Sequence, residues 1–143
     1  MGLTHSKYQS INIFMNRLPK LLIIDDQPFI VAIFAELLRS EEIELISASN
    51  GEEGLEMAHQ QLPDMIFLDI EMPRMDGLSV CRKLREDSRF DKIPIYMLSA
   101  KGDAPSEEEQ KGLRITGYLT KPFSPLQIYS LIKQQLNISP DLR

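Results

Sequence analysis

The chain alternates short apolar runs with segments whose apolar residues recur at helical spacing, from Lys20 almost to its end. The apolar runs are rich in β-branched, aromatic and leucine side chains, and most lack the strict alternation of a half-exposed strand. They therefore predict strands that are mostly buried on both faces. In chain order the predicted strands are LLIID, IELISAS, DMIFLD, IPIYMLS and GYLT.

Five helices are predicted between and after these strands, and four of them have clear start signals. Pro28 suits the first turn of the first helix. Asn50 and Glu53 form a capping-box pattern for the second, and Asp76 and Ser124 can cap the third and the fifth. The apolar faces of these four helices are, in order, Ile30, Ile33, Phe34, Leu37 and Leu38; Leu55, Ala58 and Leu62; Leu78, Cys81 and Leu84; and Ile128, Leu131, Ile132 and Leu136.

The fourth helical segment, APSEEEQKGLRI, is weaker than the others. Ser106 and Glu109 make a capping-box pattern, but the segment shows almost no apolar face before Leu113. Gly112 is placed to end the helix. We expect this helix to be short and to contribute little to the core.

Strands that alternate with helices predict right-handed crossovers and a parallel sheet covered by helices on both faces. Polar side chains stand where four of the strands end: Asp25 and Asp26, Asp69, Ser99, and Lys121. Parallel strands end at one edge of the sheet, and ligands bind there at the switch point of the strand order. We therefore expect these side chains to converge on one pocket.

The charges of this pocket predict a divalent cation. Asp25, Asp26 and Asp69 carry three negative charges and Lys121 carries one positive charge, which leaves two negative charges to neutralise. Oxygen ligands favour Mg²⁺ or Mn²⁺, and neither histidine lies near these positions in the sequence, which argues against zinc. The alternative is that these acids are only caps or surface charges, with Asp26 or Gln27 capping the first helix.

Composition narrows the class of protein. The chain has 143 residues, 43% of them hydrophobic and 26% charged, with a net charge of -5, which fits one globular domain. Lysine and arginine form no dense cluster, so no nucleic-acid partner is expected. The apolar runs are too short to insert in a membrane, no secretory signal is visible, and the single cysteine, Cys81, favours a reducing, cytoplasmic setting.

Four motifs together resemble the receiver domains of two-component response regulators: LLIIDDQP, MIFLDIEMPRMDG, YMLSA and GYLTKPF. They occur in that family's order and at its usual separations, and the resemblance extends from Leu21 to about Asn137. It implies a receiver domain over residues 20–138. The implied fold is α/β and flavodoxin-like, (βα)5, with a doubly wound parallel five-stranded sheet in the order 2-1-3-4-5.

The resemblance also implies a role for each pocket residue. Asp69 would be the phosphoacceptor, and its carboxylate would attack the phosphorus of a phosphohistidine or of a small phosphodonor. Asp26 and Asp69 would ligate Mg²⁺ directly, Glu71 would contribute its backbone carbonyl, and Asp25 would act mainly through water. Lys121 would pair with Asp69 or with a phosphoryl oxygen.

Ser99 and Tyr118 hold the family's switch positions. On phosphorylation, Ser99 would form a hydrogen bond with the phosphoryl group and Tyr118 would turn inward. The surface formed by the fourth helix, the fifth strand and the fifth helix would then change, and a target protein would bind the changed surface. Glu71 and Lys101 are expected to pair across the mouth of the pocket and to slow self-hydrolysis.

Two local features follow from the same resemblance. The family's pattern makes the peptide bond between Lys121 and Pro122 cis. Arg114 is a departure, because the family usually has glycine there. The surface of the fourth helix is therefore expected to be unusual.

The resulting functional hypothesis is a stand-alone receiver, a signalling protein rather than an enzyme. It would take a phosphoryl group from a histidine kinase and switch a protein-binding face, without a DNA-binding output domain. A phosphorelay intermediate that passes the group to a histidine phosphotransfer protein is the alternative. An aspartate-nucleophile phosphatase is less favoured, because such enzymes carry their nucleophile after the first strand in a D-x-D pattern. The complete acidic set argues against a receiver that binds its target constitutively, without phosphate.

The two ends of the chain are expected to lie outside this domain. Residues 1–19 are predicted to be an extension, and several of their apolar residues recur at helical spacing. The sequence leaves open a short amphipathic helix, a frayed tail, or a translation start at Met15. Residues 139–143 are predicted to be a C-terminal tail.

Overall fold

Five parallel strands form one sheet in the order β2-β1-β3-β4-β5 in the computed structural model, which describes residues 17–137. Every predicted strand is present to within two residues at either end, and the predicted flavodoxin-like fold and strand order are confirmed. The strands are β1 (Lys20–Ile24), β2 (Glu44–Ala48), β3 (Met65–Asp69), β4 (Ile95–Ser99) and β5 (Gly117–Thr120).

Helices cover both faces of the sheet. Alternate residues of the central strands point to opposite faces, so that Leu21 and Ile23 of β1 pack with one pair of helices while Leu22 and Ile24 pack with the other group. Helices α1 (Pro28–Leu37) and α5 (Pro125–Gln135) form the pair that covers the first face. Helices α2 (Gly51–Gln61) and α3 (Gly77–Arg85) cover the second face, and α4 (Glu107–Gly112) lies beside them. The central strands β1, β3 and β4 are almost fully buried, whereas the edge strands β2 and β5 are partly exposed.

The helix starts follow the predicted capping residues, with one difference. Asn50 accepts a hydrogen bond from the Glu53 N–H at 2.8 Å, as expected for an N-cap. The Glu53 carboxylate, however, accepts from the N–H of Ser49 at 2.8 Å, one residue earlier than a capping box would place it. Asp76 caps α3 through the N–H of Ser79 at 2.8 Å.

Helix α4 is short, as expected, and none of its residues is buried. The Ser106–Glu109 capping box is complete, and Leu113 follows the helix as its C-cap. Arg114 has a φ of 52°, in the left-handed region that glycine adopts most easily, which explains why an arginine there is a departure. Its backbone carbonyl accepts from the Arg85 guanidinium at 2.8 Å, and this contact holds the turn in place.

At the amino-terminal end the structure describes Arg17, whose guanidinium forms an ion pair with Asp64 at 2.9 Å. Residues 1–16 and 138–143 lie outside the described range, so the predicted extension and tail stay predictions. Across residues 17–137, no helix has both the length and the apolar character needed to cross a membrane.

Candidate functional site

The end of β1 supplies two carboxylates with different surroundings. Asp25 is buried and Asp26 is exposed. Asp25 Oδ1 accepts from the backbone N–H of Gln27 at 2.9 Å, but Asp25 Oδ2 is buried without a well-oriented hydrogen bond, although the Lys121 ammonium lies 3.3 Å away. Burial raises the pKa of Asp25. A buried, under-satisfied carboxylate oxygen indicates a further ligand in this place.

Asp69 is the last residue of β3 and is only 1% exposed. Its Oδ1 atom accepts from the Glu71 N–H at 3.3 Å and from the Lys121 Nζ at 3.4 Å. Burial, and next the negative charge of Asp25, raise the pKa of Asp69 to about 6. The group is therefore costly to ionise in the absence of added positive charge.

The turn after β3 packs tightly against Asp69. The Gly77 N–H donates to the Ile70 carbonyl at 2.8 Å, and a Cβ at Gly77 would lie 2.1 Å from the Asp69 carbonyl oxygen. Only glycine can occupy that position without moving the backbone of the acceptor residue. The glycine of the motif EMPRMDG thus fixes the place of Asp69.

Lys121 reaches the same cluster from β5. Its backbone N–H donates to the Ser99 carbonyl at 2.7 Å, and the Lys121–Pro122 bond is cis, as the resemblance implied. Its side chain is 19% exposed. The five residues that were predicted to meet at the strand ends therefore lie at one edge of the sheet.

The three carboxylates form a set that fits a divalent cation. One oxygen from each of Asp25, Asp26 and Asp69 lies within 4.8 Å of the other two. Such oxygens are the ligands that Mg²⁺ and Mn²⁺ prefer, and the under-satisfied oxygen of Asp25 belongs to the set. Glu71 borders the set because its N–H contacts the Asp69 carboxylate.

The two expected switch residues lie beside the acceptor in different environments. Ser99 is fully buried at the end of β4, next to β3, and its hydroxyl has no hydrogen-bond partner in the described part of the chain. Tyr118 on β5 is 41% exposed, so in this structure its ring points outward.

Two partners of the site residues were not foreseen from the sequence. Gln27 is the N-cap residue of α1 but makes no side-chain cap; its Oε1 instead accepts from the Lys121 Nζ at 2.8 Å. Glu71 has a side-chain hydrogen bond with Asp103, which is the main reason why its pKa is raised. Within residues 17–137, no ion pair joins Glu71 to Lys101. The predicted slow self-hydrolysis therefore stays a prediction, and the ion pair expected to cause it is not present in this part of the chain.

Fold and site together define a doubly wound α/β protein with an acidic site at its switch point. Strand β1 lies between β2 and β3, so the chain reverses direction across the sheet between β1 and β3, where Asp25, Asp26 and Asp69 meet. The family model of the response regulator receiver domain matches residues 21–133. The chain belongs to that family, whose members act in two-component signal transduction.

Relatives and solved structures agree with this membership. The chain is 37% identical to the alkaline phosphatase synthesis transcriptional regulatory protein PhoP of Bacillus subtilis and 34% identical to the transcriptional regulator RpaA of Synechocystis. These matches cover 84% and 83% of this chain but 49% of each relative, so the chain spans about half the length of the curated relatives it matches.

Among solved structures the chain resembles chemotaxis protein CheY4 of Vibrio cholerae, with a TM-score of 0.74 and 30% identity. It also resembles the receiver domain of Francisella response regulator 1452, with a TM-score of 0.73 and 28% identity. The matches cover 82% of this chain in both cases, and 98% and 96% of the other chain.

Proposed function

We propose that this receiver accepts a phosphoryl group on Asp69 from the phosphohistidine of a kinase. One carboxylate oxygen of Asp69 bonds to phosphorus while the bond from phosphorus to the imidazole nitrogen breaks, and its electron pair stays with the histidine. The observation that carries this proposal is the buried Asp69 carboxylate, which lies 3.4 Å from the Lys121 ammonium and next to two further acids at the switch point.

The residues around Asp69 would prepare it for this step. Asp26 and Asp69 would hold Mg²⁺ or Mn²⁺ directly, with the Glu71 carbonyl as a further ligand and Asp25 acting through water. The bound cation would supply positive charge to the phosphoryl oxygens. Lys121, 3.4 Å from Asp69 Oδ1, provides a second positive charge.

The output would be a change of surface rather than catalysis on another molecule. The unpartnered Ser99 hydroxyl would donate to a phosphoryl oxygen, and the exposed ring of Tyr118 would turn inward. The face made by α4, β5 and α5 would then bind a target protein in the cytoplasm. The relatives named above are transcriptional regulators about twice as long, so this output is proposed for the receiver itself.

Phosphorylation of Asp69 is tested by intact mass. Incubation with acetyl phosphate and Mg²⁺ is expected to add one phosphoryl group to the wild-type protein and none to Asp69→Asn. Asp76→Asn is the matched control, because Asp76 is exposed, lies at the start of α3, and is replaced by an equally good cap. A mass gain that persists in Asp69→Asn would place the acceptor elsewhere.

Two exposed apolar side chains beside the site suggest where a protein donor docks. Phe29 is 61% exposed at the start of α1, and Leu126 is 74% exposed at the start of α5. Both helices pack on the same face of the sheet and begin at its carboxyl edge, where Asp69 lies. Exposed aromatic and aliphatic residues next to a reactive group are typical of protein contact sites.

We therefore expect Phe29→Asp with Leu126→Asp to slow transfer from a phosphorylated histidine phosphotransfer domain by about tenfold, equivalent to about 1.4 kcal/mol. Phosphorylation by acetyl phosphate, which needs no docking surface, is expected to change less than about twofold. The probe is a domain that transfers to the wild-type protein, and the rate is followed with labelled phosphate.

Leu62→Asp is the control for an added charge on an exposed leucine. Leu62 is 45% exposed at the end of α2, at the opposite edge of the sheet. The substitution Leu62→Asp is expected to leave both transfer rates unchanged. Equal slowing with both donors in the double variant would mean that the acceptor site itself was damaged. An unchanged rate with both donors would exclude this docking surface.

A further inference from the structure

Gln27 makes a contact that its position in the sequence does not predict. It follows the acid pair and occupies the N-cap position of α1, where a polar side chain usually accepts from the first turn of the helix. Its side chain makes no such bond. Instead, Oε1 accepts from the Nζ of Lys121, ninety-four positions away along the chain.

The Lys121 ammonium has three N–H groups and three acceptors within reach. Gln27 Oε1 lies at 2.8 Å, Asp25 Oδ2 at 3.3 Å and Asp69 Oδ1 at 3.4 Å. The amide contact is the shortest of the three. The direction of this hydrogen bond is also fixed, because the lysine ammonium can only donate and its partner must be the amide oxygen of Gln27.

The three acceptors differ in what the proposed function requires of them. Asp69 loses its full negative charge when one of its oxygens bonds phosphorus, and Asp25 is proposed to act on the cation. Gln27 is neutral and has neither task. Of the three acceptors, it is therefore the one whose charge and ligands the transfer leaves unchanged.

We infer that Gln27 is a positioning residue that fixes the Lys121 ammonium beside the acceptor oxygen. This inference rests on the proposed function. A lysine carries a positive charge on a flexible four-carbon stem, and restricting that stem before the reaction lowers the entropy lost in reaching the transition state. Gln27 acts through Lys121 and does not itself touch the reacting atoms.

The first test replaces the acceptor and keeps the size of the side chain. Gln27→Met has a similar length without a strong acceptor, and it is expected to slow phosphorylation by phosphoramidate or acetyl phosphate by about three- to tenfold, the effect of one hydrogen bond. Gln27→Glu keeps an acceptor oxygen at the same distance along the side chain and is expected to stay within about twofold of the wild type. Gln60→Met, on the exposed face of α2, is the matched control and is expected to have no effect.

The second test observes the ammonium directly, without phosphorylation. The Lys121 Nζ resonance is expected to show slow proton exchange in the wild type and in Gln27→Glu, and fast exchange in Gln27→Met. A general loss of structure would not be reversed by glutamate, so rescue by Gln27→Glu separates positioning from folding. Failure of glutamate to restore both the rate and the slow exchange would overturn the inference.

The two tests also separate this inference from the proposed function. If the wild-type protein accepts no phosphate from either donor, the proposed function fails, and the exchange measurement alone decides whether Gln27 holds the ammonium. If the wild-type protein is phosphorylated and Gln27→Met matches it in rate and in exchange, the inference fails and the proposed function stands.

Discussion

Replacing Gly77 with alanine is expected to destabilise the protein by about 3 kcal/mol and to weaken Mg²⁺ binding at least about tenfold. A Cβ at this position would lie 2.1 Å from the Asp69 carbonyl oxygen and 2.9 Å from Ile70 Cα. The three nearest atoms that it would meet all belong to the backbone, so rotation of a side chain cannot relieve these contacts, and overpacking of this kind costs about 1 to 3 kcal/mol or more. The backbone that must move carries the acceptor carboxylate.

Urea unfolding and calorimetric Mg²⁺ titration measure the two effects. Gly112→Ala is the matched control, because an added Cβ there meets nothing within 4 Å. Since Gly112 ends α4, alanine is expected to be neutral or to stabilise by up to about 1 kcal/mol. If Gly77→Ala were as stable as the wild type, the turn after β3 could not be packed against Asp69 as described.

The elements and the pocket residues could be predicted because each has a local signal in the sequence. Strand β3 reads as an unbroken apolar run that stops at Asp69, and the parallel arrangement then determines which side chains share an edge. The capping residues Asp76 and Ser106 are read in the same way, since each acts within three positions of itself. Signals of this kind need no knowledge of distant partners.

Contacts between distant positions had no such signal. Lys133 is buried on α5, where its ammonium lies 2.6 Å from Glu41, and Tyr129 donates to the same carboxylate at 2.8 Å. The sequence left either Asp26 or Gln27 as an alternative cap of α1, but the partner of the Gln27 side chain is Lys121. The partner of a polar side chain with several local options is known only when the folded structure shows which donor or acceptor lies closest.

Asp69→Asn is expected to make the metal-free protein more stable at pH 7.5, by about 2 to 3 kcal/mol, although it removes the proposed acceptor. Burial and the charge of Asp25 raise the pKa of Asp69 from 3.8 to about 6. At about 1.36 kcal/mol per pH unit, this rise corresponds to about 3 kcal/mol of cost when the folded state must ionise. Asparagine is neutral at every pH and avoids that cost.

The sign of the pH dependence follows from proton linkage. Between about pH 4 and pH 6 the folded wild-type protein binds more protons at Asp69 than the unfolded chain does, so its free energy of unfolding falls as the pH rises. The advantage of Asp69→Asn should therefore be nearly absent at pH 4 and complete by about pH 7. Urea unfolding in EDTA across this range measures this advantage, and Asp76→Asn, which keeps an N-cap residue at the start of α3, is the control for an Asp-to-Asn substitution away from the cluster.

Mg²⁺ should reverse the order of stability, because a bound cation offsets the cost of ionising the buried Asp69 carboxylate beside Asp25. Binding to the folded state alone stabilises by about 4.1 kcal/mol at one thousand times the dissociation constant, which exceeds the expected advantage of Asp69→Asn. The wild type has all three carboxylates of the cluster and should gain the full stabilisation from Mg²⁺ binding. Asp69→Asn has lost one of these carboxylates and should gain little stabilisation. If Asp69→Asn were less stable than the wild type in EDTA at pH 7.5, the folded protein would not impose the ionisation cost that burial and Asp25 place on Asp69. The physical reason for a cation at this site would then be lost.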